Sequence, residues 1–189
     1  GLGQPFRMKR GGAWITVHGW QGLSRHRFPD GAWRWMGYCN VPDLMLFPER
    51  YPDLKTVDFR AGVEVTLFHL GLWALSWPGR FGLMRRPDAI AAPLLAIKRR
   101  LPFLGSDVGG MFVELEGVDA GGSAKRIVWH LVARQGHGPY IPTTPAVVLA
   151  KKLVRGDVME RGARACVGLV TLPEIERELA DLAITMSER

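Results

Sequence analysis

The chain has 189 residues, of which 47% are hydrophobic and 23% charged, with seven tryptophans and a formal net charge of +7. This composition excludes a collagen, a coiled coil, a disulfide-rich toxin, a disordered tail and a protein with several membrane spans. The length is sufficient for one domain with a substantial core, or for two very small ones. The positive charge favours anionic partners but does not identify one.

The cysteines and the longest apolar stretch indicate the compartment in which the protein resides. Cys39 and Cys166 lie in no CxxC motif and are too few for a disulfide framework, which predicts reduced thiols in a cytoplasmic protein. The longest apolar stretch, residues 65–77, is shorter than the ~20 residues that a membrane span requires. Because the chain begins at Gly1 without an initiator methionine, we expect a processed start or a piece of a longer protein.

Strands dominate the first part of the chain. Period-two alternation of apolar residues indicates four strands, over residues 13–17, 22–28, 32–38 and 55–61. Asp30-Gly31 predicts a hairpin turn between the second and the third. A short helix is expected at 42–50, and helical spacing of apolar residues predicts longer helices at 67–78 and 87–100.

A glycine-rich joint at 105–110 precedes the second part. A hairpin is predicted over 111–134, with its turn at 119–122. Pro145 is expected to be the first residue of a helix that Gly156 ends.

The last helix has its own start signal. Thr171 followed by Glu174 is a capping-box pattern. We expect the helix that begins there to run to about Ala183.

This order of elements is not the strict alternation of a parallel α/β fold. It predicts an α+β fold, with a mostly antiparallel sheet and helices packed on one face. We expect a single domain over residues 1–189, and any joint would lie near 102–110.

Nucleotide-binding motifs are not found. The only string resembling GxGxxG, residues 1–6, has no strand before it, lacks the third glycine and carries Pro5 where a helix would start. GxxxxGK[ST] does not occur. The sequence therefore predicts that no segment binds a nucleotide in the usual self-contained way.

Metal and nucleophile patterns are also missing from the sequence. The five histidines form neither HExxH nor another compact ligand set: His18, His26, His69, His130 and His137. We expect no metal site, although His18 and His26 lie on neighbouring predicted strands. Cys39 has no evident base, and no GxSxG is present, so a free-standing hydrolase is not indicated.

Basic residues are scattered and match no recognition module, so no nucleic-acid partner is expected. An alternative is a membrane-surface patch in which aromatic and aliphatic residues adjoin arginines: Trp73, Trp77, Phe81 and Leu83 beside Arg80, Arg85 and Arg86. The competing interpretation places those tryptophans in the core or a subunit interface.

The loop 135–140 is the strongest local candidate for a binding site. Its glycines allow a ligand to approach the backbone, and a helix N-terminus near Thr143 favours an anion. His137 adds a side chain that exchanges protons near neutral pH. The alternative is that Gly136 and Gly138 only turn the chain.

Several motifs resemble the C-terminal part of saccharopine dehydrogenase-like oxidoreductases. They are the glycine turn 136–139, the helix approach 141–146, the segment 162–169 with Cys166, the capping box 171–174, and upstream 35–44 and 60–62. The resemblance covers the whole chain thinly and residues 107–183 better. The family often has an acidic residue where this chain has His137, which puts the role of that position in doubt.

The resemblance implies a fold, an activity and a set of site residues. It implies an antiparallel second domain that binds substrate and dimerises, while a separate N-terminal Rossmann domain binds NAD or NADP. The substrate would be a small molecule, with an anionic one favoured by the positive charge. The expected substrate-contacting residues lie at strand ends and in loops: Tyr38, Asn40, Asp43, Asp107, His137 and Tyr140. His137 is the expected proton donor, and a structural turn or cap is the alternative at each position. The alternative function is that of a non-catalytic module that binds a ligand, a membrane surface or another protein.

Overall fold

The fold is α+β. The computed structural model describes residues 1–84, 95–96, 105–158 and 162–188. Within those ranges lie four helices and eight named strands, and every strand pair is antiparallel. The predicted fold class is thus confirmed, although the strands form three small sheets. The helix predicted at 87–100 lies outside the described residues except for positions 95 and 96.

The chain divides into two compact units, residues 1–106 and 107–189, here called unit 1 and unit 2. The division falls inside the segment 102–110, where the sequence places any joint. Each unit has its own strands, helices and buried residues, and each is described separately below.

The named elements in the described part of unit 1 are five strands and two helices: β1 Pro5–Arg10, β2 Ala13–His18, β3 Ser24–Arg27, β4 Trp33–Tyr38, α1 Asp43–Arg50, β5 Arg60–Ala61 and α2 Thr66–Arg80. β1 pairs with β2, and β4 lies between β3 and β5. The core joins β1 and β2 to α1 through Met8, Val17, Leu44 and Val57. Alternation places Met8 and Val17 on the inward faces of β1 and β2.

Two features of unit 1 differ from the sequence prediction. β1 is a strand that the sequence pattern did not predict, because its residues mix basic and apolar side chains on both faces. The strand predicted at 55–61 is wrong over most of its length, since only Arg60–Ala61 pairs with β4. Val57 instead forms an isolated bridge to Lys9. The chain thus changes sheets within this segment, so its alternation does not belong to one strand.

Unit 2 contains three strands and two helices: β6 Gly109–Val118, β7 Ala124–Ala133, α3 Tyr140–Arg155, α4 Leu172–Leu179 and β8 Ile184–Glu188. β7 is the central strand of the sheet. Its last four residues, 130–133, are buried, and so are Thr144 and Val148 of α3 and Leu179 of α4. The predicted hairpin is confirmed, and so is the helix end at Gly156, which has a φ of +79°.

The predicted start of α3 at Pro145 is wrong, because the helix begins five residues earlier at Tyr140. Pro145 lacks the amide that would bond a carbonyl four residues back. The hydroxyls of Thr143 and Thr144 both donate to the Tyr140 carbonyl, over 2.8 Å each. These bonds support the first turn, so the helix continues through the proline.

The capping box predicted for the last helix is confirmed, but the helix ends at Leu179. The carboxylate of Glu174 accepts from the Thr171 amide at 2.7 Å and from Lys152 Nζ on α3 at 2.9 Å. The Lys152 hydrogen bond, followed by those from Thr171, lowers the pKa of Glu174 to about 2.

Residues after α4 turn back instead of continuing the helix to about Ala183. Ile184 pairs with Ala133, and Met186 with Leu131, so β8 adds a third strand to the sheet. Long-range pairing with β7 therefore overrides the local helical pattern.

Candidate functional site

The six residues expected from the sequence fall into two groups. Tyr38, Asn40 and Asp43 lie in unit 1, and Asp107, His137 and Tyr140 lie in unit 2. Each group is therefore a separate candidate site.

Tyr38 ends β4 and lies against two guanidinium groups. Arg60 stands over its ring at 4.6 Å from the centroid and Arg10 at 5.6 Å. An Arg10 nitrogen donates to the Tyr38 hydroxyl over 3.0 Å. The Asp58 carboxylate accepts from both arginines, at 3.2 Å from Arg10 and 2.8 Å from Arg60. This four-residue group has one net positive charge from two arginines and one carboxylate.

The backbone around Tyr38 is held as tightly as its side chain. Its amide donates to the Gln21 carbonyl and its carbonyl accepts from Trp20, both over 2.8 Å. Gly22 has a φ of +66°, and a Cβ added there would overlap the Tyr38 ring. Arg60 also donates to the Gly22 carbonyl at 2.6 Å. Tyr38 is thus a packing residue of unit 1 as well as the centre of a charged cluster.

Asn40 and Asp43 follow Tyr38 but are not bonded to it through side chains in the described part of the chain. Asn40 is exposed, and Asp43 is the first residue of α1. A carboxylate in the first helical turn stabilises the positive end of the helix. Arg10, which does contact Tyr38, was not predicted from the sequence because β1 itself was not predicted.

His137 has a defined hydrogen bond in unit 2. Its Nδ1 accepts the backbone N–H of Ala183 over 2.8 Å. The Arg134 amide also donates to the Ala183 carbonyl over 2.8 Å, so the loop is bonded twice to the residue that precedes β8. Sequence reasoning identified His137 but not Ala183, because the bonded residues are 46 positions apart.

This hydrogen bond determines which nitrogen of His137 bears the proton. A backbone amide can only donate, so Nδ1 is the unprotonated nitrogen. In the neutral imidazole, the proton therefore lies on Nε2. The arrangement gives His137 one fixed acceptor and one donor that remains for a ligand.

Tyr140 and Asp107 complete the group. The Tyr140 ring meets His137 edge to face, with ring centroids 5.8 Å apart, and Tyr140 is 54% exposed. The Tyr140 amide donates to the His137 carbonyl over 3.1 Å. Asp107 contributes its backbone carbonyl, which accepts from Gly136 at 3.3 Å. The structure thus brings together all three unit 2 residues predicted from the sequence, although Asp107 participates through its backbone.

The positive charge is divided unequally between the units. Residues 1–106 contain 15 basic and 7 acidic residues, a net +8, while residues 107–189 contain 10 and 11, a net −1. The seven arginine–aromatic contacts in the described residues all lie in unit 1. Two of them involve Arg25, which lies 4.8 Å from the ring centroid of Trp33 and 5.1 Å from that of Trp35. Unit 1 is therefore the part of the chain suited to anionic partners.

His69 is a buried histidine on α2. Its side chain is fully buried, and neither ring nitrogen has a hydrogen-bond partner among the described residues. Its ring lies 5.6 Å from that of Trp20. Burial lowers the pKa of His69 below its ordinary value, because the charged form is poorly solvated there. This residue is a packing element rather than part of either candidate site.

The Gly1–Phe6 string does not have the setting of a dinucleotide-binding loop. The Gly1–Phe6 string leads directly into β1, and a Cβ on Gly3 would collide with the Ser76 carbonyl and the Arg80 amide of α2. The glycine is therefore used for close packing of the chain against a helix, which leaves no room for a pyrophosphate. A dinucleotide-binding unit requires parallel strands. In the described ranges every strand pair is antiparallel.

The described residues include no group of three or more His, Cys, Asp or Glu side chains that could hold a metal ion. No helix within them combines the length and hydropathy needed to cross a bilayer. No known family model matches the sequence, and no curated protein matches it significantly.

Proposed function

We propose that this chain is the substrate-binding and dimerisation domain of an NAD- or NADP-dependent oxidoreductase resembling saccharopine dehydrogenase. The observation that supports this most directly is the bond from Ala183 to His137 Nδ1, which leaves the proton on Nε2 of a ring that meets the exposed Tyr140 edge to face. Two proton-bearing groups at a helix start suit a substrate with a carbonyl, imine or carboxylate group.

The reaction class is hydride transfer at a C–N or C–C double bond, for which the dinucleotide supplies the hydride. The sequence has no complete dinucleotide-binding motif, so in this proposal a separate domain holds that cofactor. In this proposal unit 2 orients the substrate, and His137 donates the proton. The formal charge of +7 over the whole chain favours an anionic substrate, and free Cys39 and Cys166 favour a cytoplasmic location.

The first test is the size of the native polypeptide and its affinity for NADPH. An antibody against this chain detects the protein in an extract of its source cells, and intact mass gives its length. We expect a band well above 21.0 kDa, an additional strand–GxGxxG–helix segment, and quenching of NADPH fluorescence by the purified native protein. A 21.0 kDa band without NADPH binding, or dehydrogenase turnover by the 189-residue chain alone, overturns the proposal.

A matched pair of substitutions tests the role of His137 in that native protein. Asparagine at 137 places an acceptor oxygen near Nδ1 and has no donor at Nε2, whereas glutamine places an amide near Nε2. We expect His137→Asn to lower kcat by 10²–10⁴-fold, the usual contribution of general acid catalysis. NADPH affinity should not change. Unchanged kcat in His137→Asn removes His137 as the proton donor.

The second candidate function is a module that binds an anionic surface, and α2 supports it. Trp77 lies edge to face with Trp73 at 6.2 Å and stacks with Phe81 at 6.3 Å. Arg80 lies 5.6 Å from the Trp77 centroid. Phe81 is 67% exposed, and aromatic residues beside arginine are typical of the membrane interface. Arg85 and Arg86, also predicted for this patch, lie outside the described residues.

Co-sedimentation with vesicles distinguishes the two functions. The surface-binding module predicts that the chain binds vesicles containing phosphatidylserine at low salt, and that Trp73→Ala with Trp77→Ala abolishes binding. A variant such as Trp14→Ala, which alters another arginine–tryptophan contact, is the matched control. Absence of binding at low salt eliminates the membrane version.

A further inference from the structure

One face of the β3–β4 hairpin combines basic and aromatic side chains. In the register of this hairpin Arg25 lies opposite Trp35, and Arg27 lies opposite Trp33. Opposed residues of an antiparallel pair project from the same face of the sheet, so these four side chains share one face. Arg25, Arg27 and Trp33 are exposed, and Trp35 is half-buried. These four residues are called the tryptophan–arginine face below.

The other face of the hairpin is turned towards the rest of unit 1. Met36 of β4 is buried on that side. Arg34 forms an ion pair there with Glu64 at 3.7 Å. The burial of alternate residues therefore leaves the tryptophan–arginine face as the outward side of the hairpin.

The charge of this face is not balanced by neighbouring carboxylates. Residues 5–38 contain six lysines and arginines but a single acidic residue, Asp30. The Asp30 carboxylate accepts the Ala32 amide at 2.9 Å and so belongs to the turn. In the described part of the chain neither Arg25 nor Arg27 has an ion pair or a side-chain hydrogen bond. Their guanidinium N–H groups thus remain for an anion.

Arg25 fixes the arrangement of the two indole rings. Its guanidinium carbon is within 5.1 Å of both ring centroids, a distance at which cation–π attraction holds the groups together. Trp33 and Trp35 are two residues apart on one strand, hence ~7 Å along the face. Trp33 is still 52% exposed. The face thus presents flat aromatic surface and guanidinium donors side by side.

We propose that the tryptophan–arginine face binds a single-stranded nucleic acid. Unpaired bases stack on the exposed indole surface, and backbone phosphates accept hydrogen bonds from Arg25 and Arg27. Aromatic stacking combined with cationic contacts to the backbone is how single strands are bound without sequence preference. The planar donor set of arginine also matches the oxygens of a phosphate. This function lies beyond the proposed oxidoreductase role and uses no residue of unit 2.

The chemistry of the face favours a single strand over other anionic partners. In a duplex the bases are stacked on one another, so their flat surfaces do not reach a protein ring. A membrane surface is better matched by α2 and the residues after it, where Phe81 and Leu83 supply apolar groups that insert. Strand pairing places Arg25 and Arg27 opposite tryptophans, a grouping that no linear recognition motif reveals.

A similar pair on β1 and β2 is less suited to this ligand and serves as a comparison. Arg7 lies 5.1 Å from the ring centroid of Trp14. However, Trp14 lines the same surface cleft as Glu49 of α1, whose carboxylate repels phosphate. Lys9, which lies opposite Trp14, donates to the Pro52 carbonyl at 3.1 Å. Trp14→Ala is therefore the matched control for the tryptophan–arginine face.

The test measures binding of the full chain to fluorescent thymidine and uridine oligonucleotides by anisotropy at low salt. We expect both to bind, because the face contacts base surfaces and phosphates and has no group placed to read a 2′-hydroxyl. Trp33→Ala should weaken binding about 5- to 150-fold, the effect of losing one stacked base. Trp33→Phe keeps a ring and should retain most of the affinity, and Trp14→Ala should retain all of it.

Arg27→Gln tests the phosphate contact with little risk to folding, because the Arg27 side chain bonds to no group in the described residues. Each phosphate contact to a single strand contributes about −0.7 to the slope of log affinity against log salt concentration. Arg27→Gln should therefore flatten that slope by about 0.7. Arg50→Gln removes an equal charge from an arginine beside Tyr51 and should leave the slope unchanged.

Three results overturn the proposal. They are no oligonucleotide binding at low salt, a Trp33→Ala variant that binds like the wild type, and a salt slope that Arg27→Gln and Arg50→Gln change equally. NADPH binding by the native protein is measured separately, so a failure of oligonucleotide binding leaves the oxidoreductase proposal standing.

Discussion

The Ala183 amide bonds to His137 Nδ1 over 2.8 Å and thereby joins the loop after β7 to the residue before β8. The bond links a predicted site residue to the third strand of its sheet. It is therefore a structural contact as well as the determinant of the imidazole tautomer.

The first prediction concerns the stability of this contact. His137→Ala leaves the partly buried Ala183 amide without an acceptor and should lower the free energy of unfolding by about 1–3 kcal/mol. His137→Asn retains an acceptor near the Nδ1 position and should recover most of that loss. Urea unfolding gives the free energies, and hydrogen exchange at Ala183 reports the bond itself. Equal destabilisation by both substitutions would show that the hydrogen bond contributes little.

The second prediction concerns Gly22 beneath Tyr38. Both Gly22 and Gly31 have a left-handed φ, of +66° and +85°, which an alanine adopts only with strain. The Cβ of Gly22→Ala would also collide with the Tyr38 ring, whereas that of Gly31→Ala meets nothing within 4 Å. The left-handed conformation alone costs ~1–2 kcal/mol, and overpacking adds ~1–3 kcal/mol. Thermal unfolding should therefore show a larger loss for Gly22→Ala than for Gly31→Ala. Similar losses for the two variants would mean that the ring moves aside freely.

The third prediction is a pH dependence due to His69. Its pKa is lower in the folded than in the unfolded state, so the unfolded state binds more protons as the pH falls. Stability is therefore complete above the unfolded value of about 6.5 and decreases as the pH falls below it. His69→Leu should reduce this slope, as measured by unfolding between pH 8 and pH 5.

His18 contributes to the same dependence of stability on pH. Burial and the nearby Arg80 lower the pKa of His18 as well. Some dependence on pH should therefore remain in His69→Leu and disappear in the double variant His18→Gln with His69→Leu. An unchanged slope in the double variant would assign the pH dependence to other groups.

The fourth prediction concerns the capping box of α4. The pKa of Glu174 lies at about 2 in the folded protein instead of 4.5. The contribution of Glu174 to the free energy of unfolding is therefore fully present above pH 4.5 and is lost as the pH falls towards 2. Glu174→Gln should remove this acid dependence from the unfolding of unit 2.

Glu176→Gln, on an exposed position of the same helix, is the control for that measurement. It changes the net charge equally but touches neither Thr171 nor Lys152. Acid unfolding that responds alike to both substitutions would indicate a general charge effect instead of the cap.

Local signals allowed much of this fold to be predicted. The β6–β7 hairpin, the α4 capping box and the end of α3 at Gly156 all follow from neighbouring residues. β1 was missed because basic and apolar residues mix on its faces, although it forms a tight hairpin with β2. β8 was missed because it is defined by pairing with β7, some fifty residues earlier in the chain.

In the candidate site, too, the features marked by neighbouring residues were predicted and those set by long-range contacts were not. His137 and Tyr140 were found because glycines and a helix start mark their loop. The partners that give them a defined geometry are backbone groups, such as the Ala183 amide, which carry no sequence signal. Around Tyr38, the partners Arg10 and Asp58 come from segments whose strand pattern is weak or divided. The function itself remains a proposal that the experiments above test.

The position of β8 also has a consequence for synthesis on the ribosome. The β6–β7 hairpin closes within 25 residues and can form as soon as it leaves the exit tunnel. β8 pairs with β7 across some fifty residues, so residues 183–188 must emerge before His137 gains its bond and β7 its second neighbour. A nascent chain stalled before that point exposes the edge of β7, which makes it a substrate for chaperones or for pairing with the wrong strand.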